Sequence, residues 1–484
     1  MIDNSEYRYG SARPADSSDA RAAGLFNKQH NSLFVGFLGN RPLYYNGMGG
    51  VTLVAGARSG KFTDILAYSL CSGICDSTIV VLDPKGEAAA VSHGKSSLFW
   101  NPTGLHGLPQ YRINPVDYLH IDNPTLISDM MVFCENAIPL SGSNNGQFFE
   151  LEARIYAKAF ATSLVEQKGV LTFPDLYHAL NLIPANNEEY LNFAYEMSKS
   201  RFDFVRKAEQ KIAAARNDTS GGFIGTIAQL LQAFAPLADP ILMRSVSPPY
   251  DFSLSLLCKS DQTYQLYLMP PAQFIGAWSL VIKSMFVGVR IYKERTPSAP
   301  QQTYILDEAA TLGHFPMLSE LFTIGAGINI RPVVVYQSIK QMNNTVDYGE
   351  NLITSSAALQ IYFAARDYDT ANMLSKRIGT ETLNYDDERY REEARHAKRQ
   401  AVQTFLNGND PIHACLNYTH HRERQAMAGK QARLLRSPDE VLNTPRNKLY
   451  LFVDGLPGVL YADRKPYYQQ RFMKGRYKPN PYYQ

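Results

Sequence analysis

The stretch Val51-Thr-Leu-Val-Ala-Gly-Ala-Arg-Ser-Gly-Lys-Phe-Thr63 joins an apolar strand to a glycine-containing loop and to the start of a helix. We expect that helix to run from Thr63 to about Cys75. A second apolar run, Ser77–Leu82, follows it and ends in Asp83-Pro-Lys-Gly-Glu87. Strand, loop, helix and strand within about 35 residues form a βαβ unit, whose strands are parallel. The sequence therefore predicts a parallel sheet whose first strand leads into a glycine-containing loop.

The rest of the chain divides into a helical part and a second alternating part. Helical periodicity dominates from about Thr125 to Ala235, and Phe148, Leu151, Ile155 and Ala159 share one face of a predicted helix. Strand-like runs then return with helices between them, near residues 275–294, 316–325 and 369–378. The runs expected to form strands are Gln265–Met269, Thr303–Leu306, Arg331–Tyr336, Leu359–Phe363 and Lys448–Val453.

This order of elements predicts an α/β fold, a doubly wound and mostly parallel sheet interrupted by an all-α domain. Residues 1–50 form an N-terminal segment with short strands. Residues 51–120 and 255–484 form the sheet domain, and residues 121–254 form the inserted all-α domain. Residues 384–403 mix acidic and basic side chains, which indicates either a solvated helix or a mobile arm.

Composition and charge argue against a disulfide-stabilised protein and against a membrane-spanning one. The chain has 484 residues, with 48 Lys and Arg against 45 Asp and Glu, so the net charge of +3 does not by itself indicate nucleic-acid binding. The five cysteines show no disulfide framework, which favours a reducing compartment. The most apolar run, Ala277–Val289, is interrupted by Lys283 and is shorter than the about 20 residues that cross a bilayer. We therefore expect no transmembrane segment.

The loop between the first strand and its helix has the composition of a phosphate-binding loop. Such a loop needs backbone N–H groups around the phosphates, a lysine for the terminal phosphates and a hydroxyl for Mg²⁺. Lys61 follows Gly60 as required, but Ala55 and Phe62 replace the glycine and the hydroxyl residue of the strict pattern. Thr63 offers a hydroxyl, although one helical step turns it about 100° away. Taken alone, the motif leaves nucleotide binding and a structural glycine turn both open.

Two further strand ends carry polar groups. Tyr304-Ile-Leu-Asp-Glu308 is an apolar strand that ends in two carboxylates, which suits a Mg²⁺ ligand at Asp307 and a base for the attacking water at Glu308. Acidic residues in the first turn of a helix are the alternative interpretation. A third strand ends at Gln337, which is placed to contact a γ-phosphate or the attacking water. We expect Lys61 to share one pocket with both carboxylates.

The motifs, in this order, resemble those of the type IV coupling proteins, the TraG/TraD-like ATPases of conjugation and type IV secretion. The resemblance covers about residues 9 to 475. The segments that carry it are Tyr9-Gly-Ser-Ala-Arg13, Gly60-Lys61, Val81-Leu-Asp-Pro-Lys-Gly-Glu87, Asn114-Pro115, Ile305-Leu-Asp-Glu-Ala-Ala-Thr-Leu-Gly313, Val335-Tyr-Gln-Ser338, Asp369-Thr-Ala-Asn-Met-Leu-Ser375, Leu434–Val441, Gly455-Leu-Pro457 and Pro466-Tyr-Tyr468.

The resemblance implies a RecA-like P-loop fold, ATP and Mg²⁺ as cofactors, and a hexamer with ATP between subunits. It implies that Lys61 binds phosphate, that Asp307 and Glu308 form the Walker B pair, and that Gln337 is the sensor. The implied metal ligands are Thr63 and Asp307, and Asp83 is implied to support the water shell of the metal. The implied nucleotide-binding residues are Gly56, Ala57, Arg58, Ser59, Gly60, Lys61, Phe62, Thr63 and Asp83. Arg366 is the implied arginine acting on a neighbouring subunit, with Arg331 as second choice.

The resemblance also implies partners and a location. They are DNA bound without sequence specificity, relaxase or effector proteins, and inner-membrane components of the secretion system. Because the family's transmembrane helices precede the Tyr9–Arg13 segment, we expect a cytoplasmic chain held at the membrane by partners. The alternative is a substrate-docking receptor whose degenerate nucleotide site hydrolyses ATP weakly or not at all. A translocase or packaging motor unrelated to secretion is a third hypothesis, which the resemblance disfavours.

Overall fold

The computed structural model describes residues 10–71, 76–140, 144–216, 221–259, 261–384, 388–408, 410, 412–428 and 430–482. The chain divides into two compact units. The larger unit contains Gly24–Ile361 and the residues from Asp463 onward; the smaller unit contains the residues up to Ala23 and Tyr362–Ala462. Tyr9, in the first family motif, and Cys75, at the expected end of the helix after the loop, lie outside the described residues.

The described residues form the following elements. The strands are β1 (Leu33–Leu38), β2 (Arg41–Tyr45), β3 (Val51–Val54), β4 (Thr78–Leu82), β5 (Ser97–Trp100), β6 (Gln265–Leu268), β7 (Gln302–Leu306), β8 (Ile330–Tyr336), β9 (Leu359–Phe363), β10 (Thr380–Asn384), β11 (Lys430–Leu434), β12 (Lys448–Val453) and β13 (Leu460–Asp463). The helices are α1 (Ser17–Ala22), α2 (Ala67–Leu70), α3 (Glu87–Ser92), α4 (Leu126–Ala137), α5 (Asn144–Lys168), α6 (Phe173–Ala185), α7 (Glu188–Ser198), α8 (Asp203–Ala215), α9 (Gly222–Phe234), α10 (Pro240–Ser245), α11 (Ser279–Arg295), α12 (Pro316–Ile324), α13 (Gly349–Ser356), α14 (Tyr368–Ile378), α15 (Glu388–Leu406), α16 (Ile412–Ala428) and α17 (Pro438–Leu442).

A parallel sheet forms the centre of the larger unit. Its strands lie in the order β9–β3–β8–β7–β4–β6–β5, and β9 contributes Leu359–Ile361 to this unit. The pairs β3–β8, β8–β7, β7–β4, β4–β6 and β6–β5 are parallel. Every residue of β3, β4, β7 and β8 is buried, as expected for a parallel sheet that is covered on both faces. The predicted α/β class is confirmed.

The strand order brings four polar loops to one edge of this sheet. The strands β3, β8, β7 and β4 are consecutive neighbours, and Leu306 of β7 pairs with Leu82 of β4. Because parallel neighbours end at the same edge, the residues that follow them emerge side by side. These residues are Ala55 after β3, Gln337 after β8, Asp307 after β7 and Asp83 after β4.

The strands that the sequence predicts lie within one residue of their observed bounds, because each is a continuous apolar run between turn signals. The helix after the loop differs from the expectation. It begins as a π-helical turn at Phe62–Leu66 and continues as α2 only to Leu70. Cys71 closes α2, and burial raises the pKa of its thiol to about 12, which fits a packing role.

Between β5 and β6 the chain forms α4 to α10, as the helical periodicity predicts. On α5 the expected apolar face is only partly a core face. Phe148, Leu151 and Ile155 are 58%, 47% and 41% exposed, whereas Ala159 is buried. Periodicity identifies an apolar stripe but does not tell whether the stripe faces the core or another partner. The domain boundaries at 121 and 254 stay predictions.

The smaller unit contains elements that the sequence did not reveal. Strands β10 and β11 form an antiparallel pair in which Thr380 is opposite Leu434. Their sequences alternate weakly in polarity, so no strand pattern marks them. The charged segment at 384–403 lies largely on α15, which confirms the helical interpretation over the mobile arm. Strand β12 spans the predicted Lys448–Val453.

Arg331 lies inside the larger unit and not at its surface. Its side chain is fully buried and donates hydrogen bonds to the carbonyl oxygens of Gly47 (3.1 Å) and Asn31 (2.8 Å) and to the hydroxyl of Thr303 (3.3 Å). A buried guanidinium with these partners cannot reach a neighbouring subunit. The second choice for an arginine acting in trans is therefore wrong, and Arg331 is a structural cation.

Replacing Arg331 by methionine is expected to lower the free energy of unfolding by about 2–4 kcal/mol, because the acceptors around it lose their donor. Urea denaturation of the purified chain measures this loss. Arg244→Met is the matched control, since Arg244 is exposed. Equal denaturation midpoints for Arg331→Met and the wild-type chain would contradict the structural role.

Candidate nucleotide-binding site

The loop after β3 turns sharply before the helix begins. The N–H of Ala55 donates to the carbonyl of Tyr336 (2.9 Å), which ties the start of the loop to β8. Arg58 and Gly60 have left-handed backbone angles, with φ of 55° and 88°. At Gly60 a Cβ atom would lie 3.0 Å from a carboxylate oxygen of Asp64, so glycine suits both the angle and the space. The arrangement is a strand, a tight loop and a helical turn.

Lys61 is buried at the base of this loop and contacts both acidic residues at the end of β7. Its Nζ lies 2.9 Å from Oδ1 of Asp307 and 2.9 Å from Oε1 of Glu308. Burial disfavours the charged ammonium, but the two carboxylates outweigh it, so the pKa of Lys61 lies above its ordinary value. The predicted convergence of residues separated by almost 250 positions is confirmed.

Gln337 completes this cluster from the end of β8. Its Nε2 donates to Oε2 of Glu308 at 2.8 Å, while Lys61 occupies the other oxygen. Burial favours the neutral form of Glu308, yet the charge of Lys61 and the two hydrogen bonds prevail, so the pKa of Glu308 lies below its ordinary value. Glu308 also has a left-handed backbone, with φ of 60°, a conformation that costs energy in a residue other than glycine.

Asp83 lies at the end of β4, next to the strand that carries Asp307. It is 5% exposed, and its Oδ2 accepts a hydrogen bond from the N–H of Ala89 in α3 (2.8 Å). Burial disfavours the charged form of Asp83, and the nearby charge of Asp307 acts in the same direction. These two effects outweigh the backbone hydrogen bonds to the carboxylate and raise the pKa of Asp83 to about 7. Its role in the water shell of a metal stays a prediction.

The raised pKa of Asp83 predicts a pH-dependent stability. Because the folded-state pKa of about 7 exceeds the ordinary value of 3.8, the protonated form favours folding. That contribution is complete below about pH 4 and is lost as the pH rises through 7. We expect Asp83→Asn to remove this pH-dependent loss of stability. The melting temperature of the variant minus that of wild type is therefore expected to increase by several degrees between pH 5 and pH 8.

Thermal melts of the nucleotide-free chain at pH 5, 6, 7 and 8 measure this difference. Asp122→Asn is the control, because Asp122 is exposed. A difference between Asp83→Asn and wild type that is the same at every pH would contradict the prediction.

The structure shows how the loop accommodates the unusual residues after the lysine. The hydroxyl of Thr63 lies 3.1 Å from the carbonyl oxygen of Gly60 and 2.8 Å from Oδ1 of Asp64. Phe62 is buried and packs edge-on against Tyr467, with ring centroids 6.2 Å apart. In this conformation the Thr63 hydroxyl is engaged within the loop, and its role as a metal ligand stays a prediction.

The other residues of the predicted site differ in exposure. Ala57 and Arg58 are exposed at the tip of the loop, and Gly56 is half-buried. The Ser59 hydroxyl is shielded from solvent and has no hydrogen-bond partner among the described residues, which fits a loop that takes an additional polar ligand. Arg366 is exposed in the smaller unit, directly before the N-cap of α14.

Sequence reasoning missed one ion pair beside the loop. Nη1 of Arg464 lies 2.7 Å from Oδ2 of Asp64, and both side chains are nearly fully buried. The sequence offered only an indirect signal. An acidic residue within an apolar segment, as Asp64 is, needs a buried partner. Nothing local identifies a partner 400 positions away.

Comparison with known proteins gives the family. The family model described as "Type IV secretory system Conjugative DNA transfer" matches residues 14–405. The chain belongs to this family. A conjugal transfer protein TraG of Escherichia coli is 23% identical over 427 residues, which cover 78% of this chain and 65% of that protein. The VirD4 protein of Rhizobium rhizogenes is 23% identical over 413 residues, which cover 78% of this chain and 57% of VirD4. The chain thus spans less than two thirds of these relatives.

Solved structures give the fold of this family member. The conjugative coupling protein TrwB, crystallised with sulphate, matches with a TM-score of 0.64 and 15% identity, covering 95% of this chain and 94% of TrwB. TrwB in complex with ADP and Mg²⁺ matches with the same TM-score and 14% identity, covering 94% of each chain. The chain therefore has the RecA-like coupling-protein fold that the sequence predicts.

Among the described residues, no helix has both the length and the apolar character needed to cross a membrane. In the same part of the chain, His, Cys, Asp and Glu side chains do not assemble into a group of three or more that could hold a metal ion.

Proposed function

We propose that this chain is the ATPase of a type IV coupling protein, which binds ATP with Mg²⁺ and brings DNA or protein substrates to a secretion channel. The observation that carries the proposal is the convergence of Lys61, Asp307, Glu308 and Gln337 at the edge of the sheet. A lysine, two carboxylates and an amide beside a tight loop are the groups that phosphoryl transfer requires. TrwB, which shares the fold, was solved with ADP and Mg²⁺ and with a non-hydrolysable ATP analogue.

The residues present fit a nucleotide and its metal ion. Lys61 supplies a buried positive charge, and the unsatisfied hydroxyl of Ser59 supplies a donor within the loop. A bound Mg²⁺ neutralises phosphate charge in such sites and keeps much of its water shell, so one or two carboxylates are enough to hold it. Asp307 is the carboxylate that we assign to the metal, with Asp83 behind it.

The ion pairs suggest how nucleotide binding prepares the site. While Lys61 contacts Glu308, the charge of the ammonium keeps the pKa of Glu308 low, which makes Glu308 a weak base. When Lys61 turns to phosphate oxygens, Glu308 loses this partner and its basicity rises. Gln337 keeps its hydrogen bond to Glu308 and so holds the carboxylate in place to accept a proton from the attacking water.

Assembly and location belong to the same proposal. We expect a homo-hexamer in which Arg366 of one subunit completes the site of the next, because the family resemblance implies this role and Arg366 is exposed. We expect DNA to be bound through its backbone charge, which makes binding sensitive to salt. Relaxase or effector proteins are the protein substrates that we expect, and inner-membrane components of the secretion system would hold the chain at the membrane.

A substrate-docking receptor with a non-hydrolysing site is the second candidate. Two observations favour it: Phe62 replaces the hydroxyl residue after the lysine, and α5 exposes the apolar stripe of Phe148, Leu151 and Ile155. Such a receptor would keep substrate transfer in cells when Lys61 is replaced by alanine. A coupling ATPase would lose it.

The experiment that tests the proposed function combines native mass spectrometry with a turnover assay. Native mass spectra of the purified chain with ATP, Mg²⁺ and DNA report nucleotide occupancy and ring size together. ATP turnover is then measured with and without DNA, at low and high salt. The proposal expects bound nucleotide and turnover that DNA stimulates at low salt; absence of both nucleotide binding and turnover would contradict it.

A further inference from the structure

The last described residues of the chain, Asp463–Tyr482, contact the candidate nucleotide site at two places. We call them the C-terminal segment. The segment starts at the last residue of β13, where Asp463 is opposite Phe37 of β1 and accepts a hydrogen bond from the N–H of Gly39 (3.2 Å). From there it passes the phosphate-binding loop and reaches the turn after β4. Each contact is made within the larger unit.

Arg464 makes the first contact, with the loop itself. Its Nη1 donates to the carbonyl oxygen of Ser59 and to Oδ2 of Asp64, the latter at 2.7 Å. The other oxygen of Asp64 accepts from the hydroxyl of Thr63. A single buried guanidinium therefore connects the residue before Gly60 with the helical turn after Lys61.

Packing around Arg464 holds the segment against the same turn. Tyr467 packs edge-on against Phe62, and the hydroxyl of Tyr68 donates to the carbonyl oxygen of Lys465 (2.7 Å). Tyr68 is fully buried on α2. Phe62, which departs from the usual hydroxyl residue of such loops, thus has a packing partner in the C-terminal segment.

The second contact lies at the turn Asp83–Glu87, on the other side of Asp307. The side-chain amide of Asn480 donates to Oε1 of Glu87 (2.8 Å), and the hydroxyl of Tyr482 donates to the carbonyl oxygen of Lys85 (2.8 Å). The segment therefore binds the loops after β3 and β4, which flank the carboxylates of the site.

The contact between Arg464 and the carbonyl of Ser59 also orients the N–H of Gly60, because the two groups belong to one peptide bond. In a trans peptide the C=O of one residue and the N–H of the next point in opposite directions. When Arg464 holds the carbonyl of Ser59, it also fixes the N–H of Gly60 on the opposite side of the loop. Backbone N–H groups of this kind bind phosphate in such loops, so their orientation sets the affinity for nucleotide.

We propose that Arg464 is a positioning residue of the phosphate-binding loop: it fixes the Ser59–Gly60 peptide and, through Asp64, the first helical turn. The inference rests on the proposed nucleotide binding. The guanidinium of Arg464 is buried against the loop.

The test compares Arg464→Met and Arg464→Lys with the wild-type full-length chain. Without nucleotide, hydrogen exchange of the amides from Gly60 to Asp64 is expected to accelerate in Arg464→Met, while the amides of β4 and β7 keep their protection. The dissociation constant for the ATP analogue with Mg²⁺ is expected to rise about 10- to 100-fold, which is the loss expected for hydrogen bonds to a charged group. Arg464→Lys retains the charge, and we expect its exchange rates and its dissociation constant to lie between those of wild type and Arg464→Met.

Lys465→Met is the matched control. Its ammonium contacts the carbonyl oxygen of Gly39 (2.8 Å) and the side chain of Asn40 (2.9 Å), away from the loop, so wild-type exchange and affinity are expected. Asp64→Asn gives an independent variant that removes the ion pair and leaves Arg464 present. It is expected to accelerate exchange in the same amides.

The outcomes separate this inference from the proposed function. If wild type binds nucleotide and both Arg464→Met and Asp64→Asn retain its affinity and its loop exchange, the positioning role is wrong. If wild type binds no nucleotide, the proposed function fails, whereas the exchange data still decide whether Arg464 orders the loop. Acceleration throughout the sheet in both variants would show a general structural role and would also overturn the inference.

Discussion

Lys61→Ala is expected to abolish measurable ATP binding and to reduce ATP turnover at least about 100-fold. The ammonium is the one positive group that contacts both Asp307 and Glu308 among the described ion pairs. Without it, two half-buried carboxylates meet the phosphates with no cation between them, and their repulsion adds to the lost attraction. Isothermal titration calorimetry with the ATP analogue and Mg²⁺, together with a phosphate-release assay, measures both effects.

Lys95→Ala is the control for this prediction, because Lys95 is an exposed lysine of the same unit. A melting curve of Lys61→Ala without nucleotide separates a binding defect from unfolding. Lys61→Gln provides a second variant, which retains a hydrogen-bond donor for the carboxylates but lacks the charge. Unchanged affinity in both variants would contradict the assignment of Lys61.

Glu308→Gln is expected to bind ATP as well as or better than wild type, and to hydrolyse it about 10²- to 10⁴-fold more slowly. Glutamine retains the shape of the side chain and an oxygen that accepts the hydrogen bond of Gln337. It cannot accept the proton of the attacking water. It also releases Lys61 from one of its two ion pairs, which leaves the ammonium freer to bind phosphate.

The measurement is a single-turnover assay beside a binding titration, so that chemistry and affinity are read separately. Glu350→Gln, at the start of α13, removes a carboxylate elsewhere in the same unit and serves as the control. Asp307→Asn is expected to differ from Glu308→Gln by weakening the Mg²⁺-dependent part of binding. Wild-type turnover in Glu308→Gln would assign the base to another residue.

The sequence is sufficient for the strands that carry the central cluster, although it does not reveal β5 or β13. Strands β3, β8 and β7 are apolar runs, and their polar ends are adjacent because parallel neighbours end at one edge of the sheet. These three strands alone make Lys61, Asp307, Glu308 and Gln337 candidates without any distance information. In the structure these four side chains lie in contact with one another, as expected.

Strand β1 lies in the N-terminal segment for which the sequence predicts short strands, and Gly36 interrupts its apolar run. Other features depend on interactions that no local pattern records. Strands β10 and β11 pair with each other through their backbones, and neither sequence is an apolar run. The Arg464–Asp64 ion pair joins two segments that only the complete fold brings together. On α5 the apolar stripe is visible in the sequence, but its exposure depends on what packs around it.

The most direct test of the central claim is a structure of the full chain with Mg²⁺ and a non-hydrolysable ATP analogue. We predict that the terminal phosphates lie against the loop after β3, that Nζ of Lys61 moves from Glu308 to phosphate oxygens, and that the metal lies on the Asp307 side. Nucleotide bound elsewhere on the chain would contradict this claim. So would a structure at saturating analogue in which the loop holds no nucleotide and Lys61 still contacts both carboxylates.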